Sequence, residues 1–175
     1  MIEYYTEGIV LSRDSRGELD RIVTIYTKEL GKVAALTKSS RKITSKVSGH
    51  LMPGNAVRLR IVENKTVQAM DALSEKSKCD AKRLLPFLQF LDEVIPQGET
   101  DPELWDLITK TISECHLGPE TYRQILNFLG FGADEMLCER CKKNEIAHFS
   151  LTDIMFLCRG CASILNLRPD EIVKI

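Results

Sequence analysis

Apolar and polar positions alternate through the first seventy or so residues, and then the period changes. Asn55 to Val62 is the clearest stretch: Val57, Leu59 and Ile61 fall on one face and Arg58 and Arg60 on the other, which is the two-residue repeat of a half-buried strand. Glu7 to Leu11 is rich in β-formers, Arg21 to Thr27 is β-branched and aromatic, and Gly31 to Leu36 follows across a tight Glu29-Leu30-Gly31 turn. The last two predict a hairpin. Asn64-Lys65 turns the chain into a further strand, Thr66 to Met70. Strands this short would leave exposed edges in an open sheet, so they are expected to curl into a small closed barrel. Between the third and fourth strands lies Thr37 to Pro53, polar, basic and without strand pattern. It is expected to be a long loop, and long loops in compact domains are usually functional or disordered.

From Ser74 onward the repeat is helical. Leu84, Leu85, Phe87, Leu88, Leu91, Val94 and Ile95 recur at helical spacing. Asp101-Pro102-Glu103 combines a cap, a first-turn proline and early acid, and introduces Leu104, Trp105, Leu107, Ile108 and Ile112. Gly118-Pro119-Glu120 opens another helix carrying Tyr122, Ile125, Leu126 and Leu129, closed by Gly130. These stripes read as core. The change of period puts a domain boundary near residues 72–80 and predicts an α+β, multidomain chain: a barrel over 1–73 and a helical domain over 74–175.

Charge sharpens this division. Residues 1–72 hold 12 Lys/Arg against 8 Asp/Glu, and the remainder 12 against 17. Between Glu29 and Glu63 stand Lys32, Lys38, Arg41, Lys42, Lys46, Arg58 and Arg60 with no acid among them. Such asymmetry suggests that one half faces a polyanion, and a small barrel with a basic loop fits nucleic-acid binding. The same charges also suit a solvated loop. Tyr4, Tyr5 and Tyr26 are candidates to stack on bases, or to fill the barrel and its rim.

Cys138-Glu139-Arg140-Cys141 and Cys158-Arg159-Gly160-Cys161 are C-x-x-C pairs 16 residues apart, the spacing of a structural zinc site with four thiolates. A closed tetrahedron of sulfur leaves no position for water, so the metal would stabilise rather than catalyse. His148 lies between the pairs and could replace a sulfur. Neither pair is followed by the glycine common in tight knuckles, since Lys142 and Ala162 stand there. A finger over 138–161 is therefore expected in the second domain, holding one Zn2+.

The order of these features resembles the RecO family of bacterial recombination mediators. Thr6 to Leu11 looks like the family's first strand, and Glu18 to Thr27 followed by Gly31-Lys32-Val33 is similar to its most recognisable segment. Lys38-Ser39-Ser40-Arg41-Lys42 occupies the place of its basic loop, with Ser39 where a glycine is usual. Asp101 to Trp105, Leu129-Gly130-Phe131 and the two cysteine pairs continue the correspondence. The resemblance implies an oligonucleotide-binding (OB-fold) barrel, a helical domain and a zinc finger. It further implies binding of single- and double-stranded DNA, annealing of complementary strands and, with RecR, help in loading RecA onto DNA coated by single-stranded-DNA-binding protein. The implied location is cytoplasmic and nucleoid-associated. The DNA-contacting candidates are then Arg21, Lys32, Lys38, Arg41, Lys42, Lys46, Arg58 and Arg60. Only 14 residues follow Cys161, whereas family members usually continue with further helices, which bears on the surface expected to receive the tail of the single-stranded-DNA-binding protein.

No P-loop, Ser-His-Asp order or H-E-x-x-H motif is present, so the expectation is a binding protein rather than an enzyme. Glu18 and Asp20 are expected in turn and strand-edge roles rather than as metal ligands. The alternatives are a nuclease or nucleic-acid modifier using the zinc domain as scaffold, and an RNA- or ribosome-associated zinc protein. No run approaches 18 apolar residues, against a membrane span, and acid near the N-terminus argues against a signal peptide.

Overall fold

The computed structural model describes residues 1–42, 45–75, 77–133 and 136–175. Contacts divide the chain into two compact units, Met1–Glu114 and Cys115–Ile175. In the first, strands β1 (Ile2–Arg16), β2 (Asp20–Thr27), β3 (Gly31–Thr37), β4 (Ala56–Glu63) and β5 (Val67–Glu75) form a closed barrel in the order β1-β2-β3-β5-β4. The seam between β3 and β5 is parallel and meets at Leu36 and Gln68.

β1 is far longer than the five residues whose pattern predicts it. Its first half pairs with β4 and its second half with β2, and it bends at a bulge between Val10 and Ser12. Both ends are largely exposed, so only the central stretch carries a strong apolar signal. β4 behaves as its alternation requires: Val57, Leu59 and Ile61 are buried and join Val10, Val23, Ile25, Ala35 and Ala69 in the barrel core. The long loop contributes to that core as well. Leu51 is fully buried within it and Val47 packs against it, and burying one leucine stabilises by about 2 kcal/mol. Residues 43 and 44 of the loop lie outside the described residues.

Helices α1 (Ala81–Val94) and α2 (Pro102–Glu114) belong to the same compact unit as the barrel. The apolar stripe of α1 is buried at Leu84, Phe87, Leu88, Phe90, Leu91 and Val94, but Leu85 faces outward. α1 comes so close to the long loop that a Cβ on Gly54 would lie 2.6 Å from a Leu84 methyl. Asp101 caps α2, its Oδ1 accepting from the N–H groups of Glu103 at 2.9 Å and Leu104 at 3.1 Å. The Trp105 ring lies 5.7 Å from that of Tyr26, centroid to centroid. The period of the chain therefore changes after β5, whereas the contacts divide it only after α2.

The second unit contains α3 (Pro119–Phe128), a three-stranded sheet of β6 (His148–Ser150), β7 (Met155–Leu157) and β8 (Ile172–Lys174) in the order β7-β6-β8, and α4 (Arg159–Leu165). Phe149 is buried at its centre, with ring centroids 5.1 Å from Phe156 and 5.7 Å from Phe131. Three-residue strands are too short to leave a readable period. Among the described residues no helix is long and apolar enough to cross a membrane.

Candidate nucleic-acid interface and metal centre

The structure sorts the candidate cations into separate settings. One set gathers where the tip of the β1–β2 hairpin meets the start of the loop after β3. The backbone N–H of Arg41 donates to the Leu19 carbonyl at 3.0 Å, and its guanidinium donates to the Gly17 carbonyl at 3.0 Å. Asp20 Oδ1 accepts from the Ser39 N–H at 2.7 Å, which is the turn role expected of it. Arg21 donates to the Ser40 carbonyl at 3.3 Å and to the Ser48 hydroxyl at 2.9 Å. Lys38, Arg41, Lys42 and Lys46 are exposed on this surface. Ser39 has φ 53°, the left-handed region in which a residue without a Cβ is least strained.

Arg58 and Arg60 stand elsewhere, on the outer face of β4. Arg60 bridges Glu3 of β1 at 3.3 Å and Asp71 of β5 at 3.1 Å, so its charge is already answered. Arg58 is exposed and stands directly across from Glu7. Lys32 does not join either surface. It is 8% exposed, and its ammonium reaches the Asp92 carbonyl and lies 3.6 Å from the Asp92 carboxylate on α1. An ammonium buried and paired in this way would have to break its ion pair and leave the α1 side of the barrel to reach a phosphate. The tyrosines divide as well: Tyr26 is core, Tyr4 donates to Glu63 at 3.2 Å, and Tyr5 is 75% exposed.

Sequence reasoning missed Arg13. It lies on β1 opposite Val23 and donates to the Ser48 carbonyl at 3.4 Å. Burial, and then the charge of Arg21, hold its guanidinium below the ordinary arginine pKa. The signal that finds it is its two-residue offset from Ser15, the partner of Arg21 across the hairpin.

In the second unit the sulfurs of Cys138, Cys141, Cys158 and Cys161 all lie within 4.8 Å of one another, and all four are free of disulfides. Four sulfurs at about 2.3 Å from one tetrahedral ion would stand about 3.8 Å apart, so the set needs only a small contraction to hold a metal. Two backbone devices place them. Cys158 caps α4, its sulfur accepting from the Cys161 N–H at 3.4 Å. The first pair sits on a turn in which the Lys142 N–H donates to the Cys138 carbonyl at 2.7 Å, with Lys142 at φ 60°. Lys142 thus takes the glycine conformation without being glycine, while Ala162 needs none because it is already helical.

Burial raises the Cys138 thiol, but the backbone N–H groups of Cys158, Cys141 and Arg140 outweigh it and bring the pKa to about 6. Burial and the neighbouring sulfurs push Cys161 up to about 12. Neighbouring sulfurs thus ease the first charge at Cys138 and oppose one at Cys161, and a divalent cation would remove the repulsion between thiolates. His148 lies on β6, and the four-sulfur cluster forms without it.

Residues 1–81 match the family model described as "Recombination protein O N terminal". Along more of its length the chain is similar to proteins named DNA repair protein RecO. That of Bacillus velezensis is 28% identical over 171 residues, covering 89% of this chain and 67% of the relative. That of Thermodesulfovibrio yellowstonii is 27% identical over 179 residues, covering 93% and 71%. That of Bacillus subtilis is 25% identical over 171 residues, covering 89% and 67%. The chain thus spans about two thirds of the length of these relatives.

Proposed function

We propose that this chain, whose first 81 residues match the recombination protein O N-terminal model and which is similar over most of its length to DNA repair proteins RecO, acts as a recombination mediator of that family, binding DNA through its barrel and annealing complementary strands without catalysing a covalent step. The barrel, expected over 1–73 and closed by β5 as far as Glu75, is read as an oligonucleotide-binding fold. The expected helical domain over 74–175 is read as divided between α1 and α2, which join the barrel's compact unit, and the unit from Cys115 that carries the finger. The observation that carries this reading is the set of exposed cations, Lys38, Arg41, Lys42 and Lys46, presented beside the β1–β2 tip at one place on a closed barrel. In such barrels the loop between the first two strands is one of those on which oligonucleotides lie, and the basic loop meets it here through the Arg41 and Ser39 contacts.

Lysine and arginine there would neutralise phosphates and release counterions, giving affinity without sequence preference. Arg21 and Arg58 extend the candidate set. Arg60, held by two carboxylates, contributes less, and Lys32 nothing. Annealing asks only that two polyanions be held weakly enough to exchange, a task for exposed cations rather than for a reactive group.

The partners in this reading are single- and double-stranded DNA, RecR, single-stranded-DNA-binding protein and, indirectly, RecA, in the cytoplasm and at the nucleoid. The four cysteines are read as holding one Zn2+, whose preference for tetrahedral sulfur suits the set. It would brace a unit of this size without touching DNA chemistry. The decisive experiment is annealing of complementary oligonucleotides coated by single-stranded-DNA-binding protein, with and without RecR and with no nucleotide or magnesium. Faster annealing that RecR modulates supports the reading. Magnesium-dependent strand breakage, or preference for structured RNA, would replace it with one of the alternatives.

A further inference from the structure

Arg13 and Arg21 occupy diagonal positions on one face of the β1–β2 hairpin: Arg13 opposes Val23, and Arg21 opposes Ser15. Val23 is fully buried in the barrel core, so this face points inward and both arginines stand at the mouth of the barrel. The loop after β3 covers that mouth. Its Ser48 meets both guanidiniums, accepting from Arg13 through its carbonyl and from Arg21 through its hydroxyl.

This is a costly way to hold a loop. The two cations are half-buried and close enough to depress the Arg13 pKa, and among the described residues neither has a carboxylate within ion-pair distance. Each guanidinium carries five N–H donors in a rigid fork. The neutral acceptors on the loop take one from Arg13 and two bonds' worth from Arg21. Both guanidiniums meet at Ser48, and each keeps N–H donors beyond the bonds it makes to the loop. An anion there would relieve the repulsion and saturate the forks, and the planar donors match a phosphate better than a carboxylate-free loop does.

We propose that Arg13, Arg21 and Ser48 form a seat for one backbone phosphate at the barrel mouth, so that a bound strand fastens the basic loop to the barrel. The inference rests on the DNA-binding reading of the barrel and adds to it a specific subsite and a residue, Arg13, outside the acid-free stretch. Lys38, Arg41, Lys42 and Lys46 then act as the diffuse field that guides the strand, and the arginine pair as the point where it is gripped.

The test uses the full chain and a twenty-nucleotide oligothymidylate over a range of salt. For single strands the slope of log affinity against log salt is roughly −0.7 per phosphate contact. Arg13→Gln and Arg21→Gln are each expected to weaken binding at low salt by at least about tenfold. If one phosphate is shared, the double variant flattens the slope by only about 0.7. Folded Gln variants that bind like the parent would make the arginines mere loop anchors, and a loss of about 1.4 in the double variant would mean two separate contacts; either overturns the seat.

Arg13→Lys guards against a folding defect, since it keeps the charge and one donor. It should retain the slope but bind several-fold more weakly, whereas undiminished affinity would overturn the bidentate geometry. Arg41→Glu with Lys42→Glu separates this inference from the one beneath it. If that variant loses binding while the Gln variants do not, only the seat is wrong. If the parent chain shows no salt-sensitive binding, the barrel reading falls and the seat falls with it.

Discussion

Lys32 is the residue at which the pattern of charges and the packing disagree most, and Lys32→Met separates them. Methionine keeps most of the stem and removes the ammonium. The change therefore deletes the ion pair with Asp92 and the bond to the Asp92 carbonyl, leaving the β3 backbone alone. Breaking a fully buried pair by removing one partner costs about 3–5 kcal/mol. Here the Lys32 side chain is 9% exposed and that of Asp92 28%, so the orphaned carboxylate can partly rehydrate. The expected loss is then about 2–3 kcal/mol. For a unit of about a hundred residues that is roughly 8–12 °C in Tm, read by thermal or urea unfolding followed by circular dichroism. Asp92→Leu in the same chain should recover most of it, because two apolar groups replace two charges. Oligonucleotide affinity of the folded variant should equal the parent's. Unchanged stability together with weaker, less salt-sensitive DNA binding would show that Lys32 reaches phosphate and that the inward placement is misjudged.

Purified protein should carry about one metal ion per chain by elemental analysis. Each of Cys138→Ser, Cys141→Ser, Cys158→Ser and Cys161→Ser should lower both that content and the stability of the second unit, as should a strong chelator; a metal-free preparation of unchanged stability would remove the site. Arg41→Glu with Lys42→Glu should flatten the salt dependence of single-strand binding by roughly 1.4 while moving stability by less than about 1 kcal/mol; affinity left intact would mean a merely solvated loop. Gly31→Ala should cost at least about 3 kcal/mol in urea unfolding, since its φ is +64° and the new Cβ would lie 2.1 Å from the Glu99 carbonyl oxygen. Ser39→Gly should raise stability by up to about 1 kcal/mol by relieving a left-handed φ; destabilisation would point to a role for the Ser39 side chain.

Much of the barrel was legible because burial in a small closed sheet has a two-residue period, and β4 displays it without interruption. The capping of α2 by Asp101 was equally plain, since the cap is a local interaction between neighbours in the chain. What stayed hidden depends on contacts between distant residues. Nothing near Lys32 in sequence announces Asp92, sixty positions on, and composition alone placed the lysine with its exposed neighbours. Leu51 sat inside a polar segment, where a single apolar residue carries no period, yet it plugs the barrel. Arg13 was passed over because acids stand close by in sequence, at Asp14 and Glu18, although the hairpin turns it toward Arg21 and Ser48. The cysteines lay at the opposite extreme: their spacing implied a cluster, and the fold brings all four together.

The sorting of cations also bears on how a strand could be released as well as held. Exposed lysines and arginines with no carboxylate partner gain from a phosphate chiefly through counterion release, which salt and a competing strand both reverse. Arg60 is already paired with Glu3 and Asp71, so a phosphate there would have to displace two carboxylates for little net gain. Arg60 is thus poorly suited to DNA even though it belongs to the acid-free stretch, and on the outer face of β4 only the exposed Arg58 stays in the candidate set. In the proposed reading, grip falls mainly to the hairpin tip and the loop, where Lys38, Arg41, Lys42 and Lys46 would offer a handful of contacts. A few contacts suit annealing, because complementary strands can pair only if each leaves the protein about as readily as it arrives.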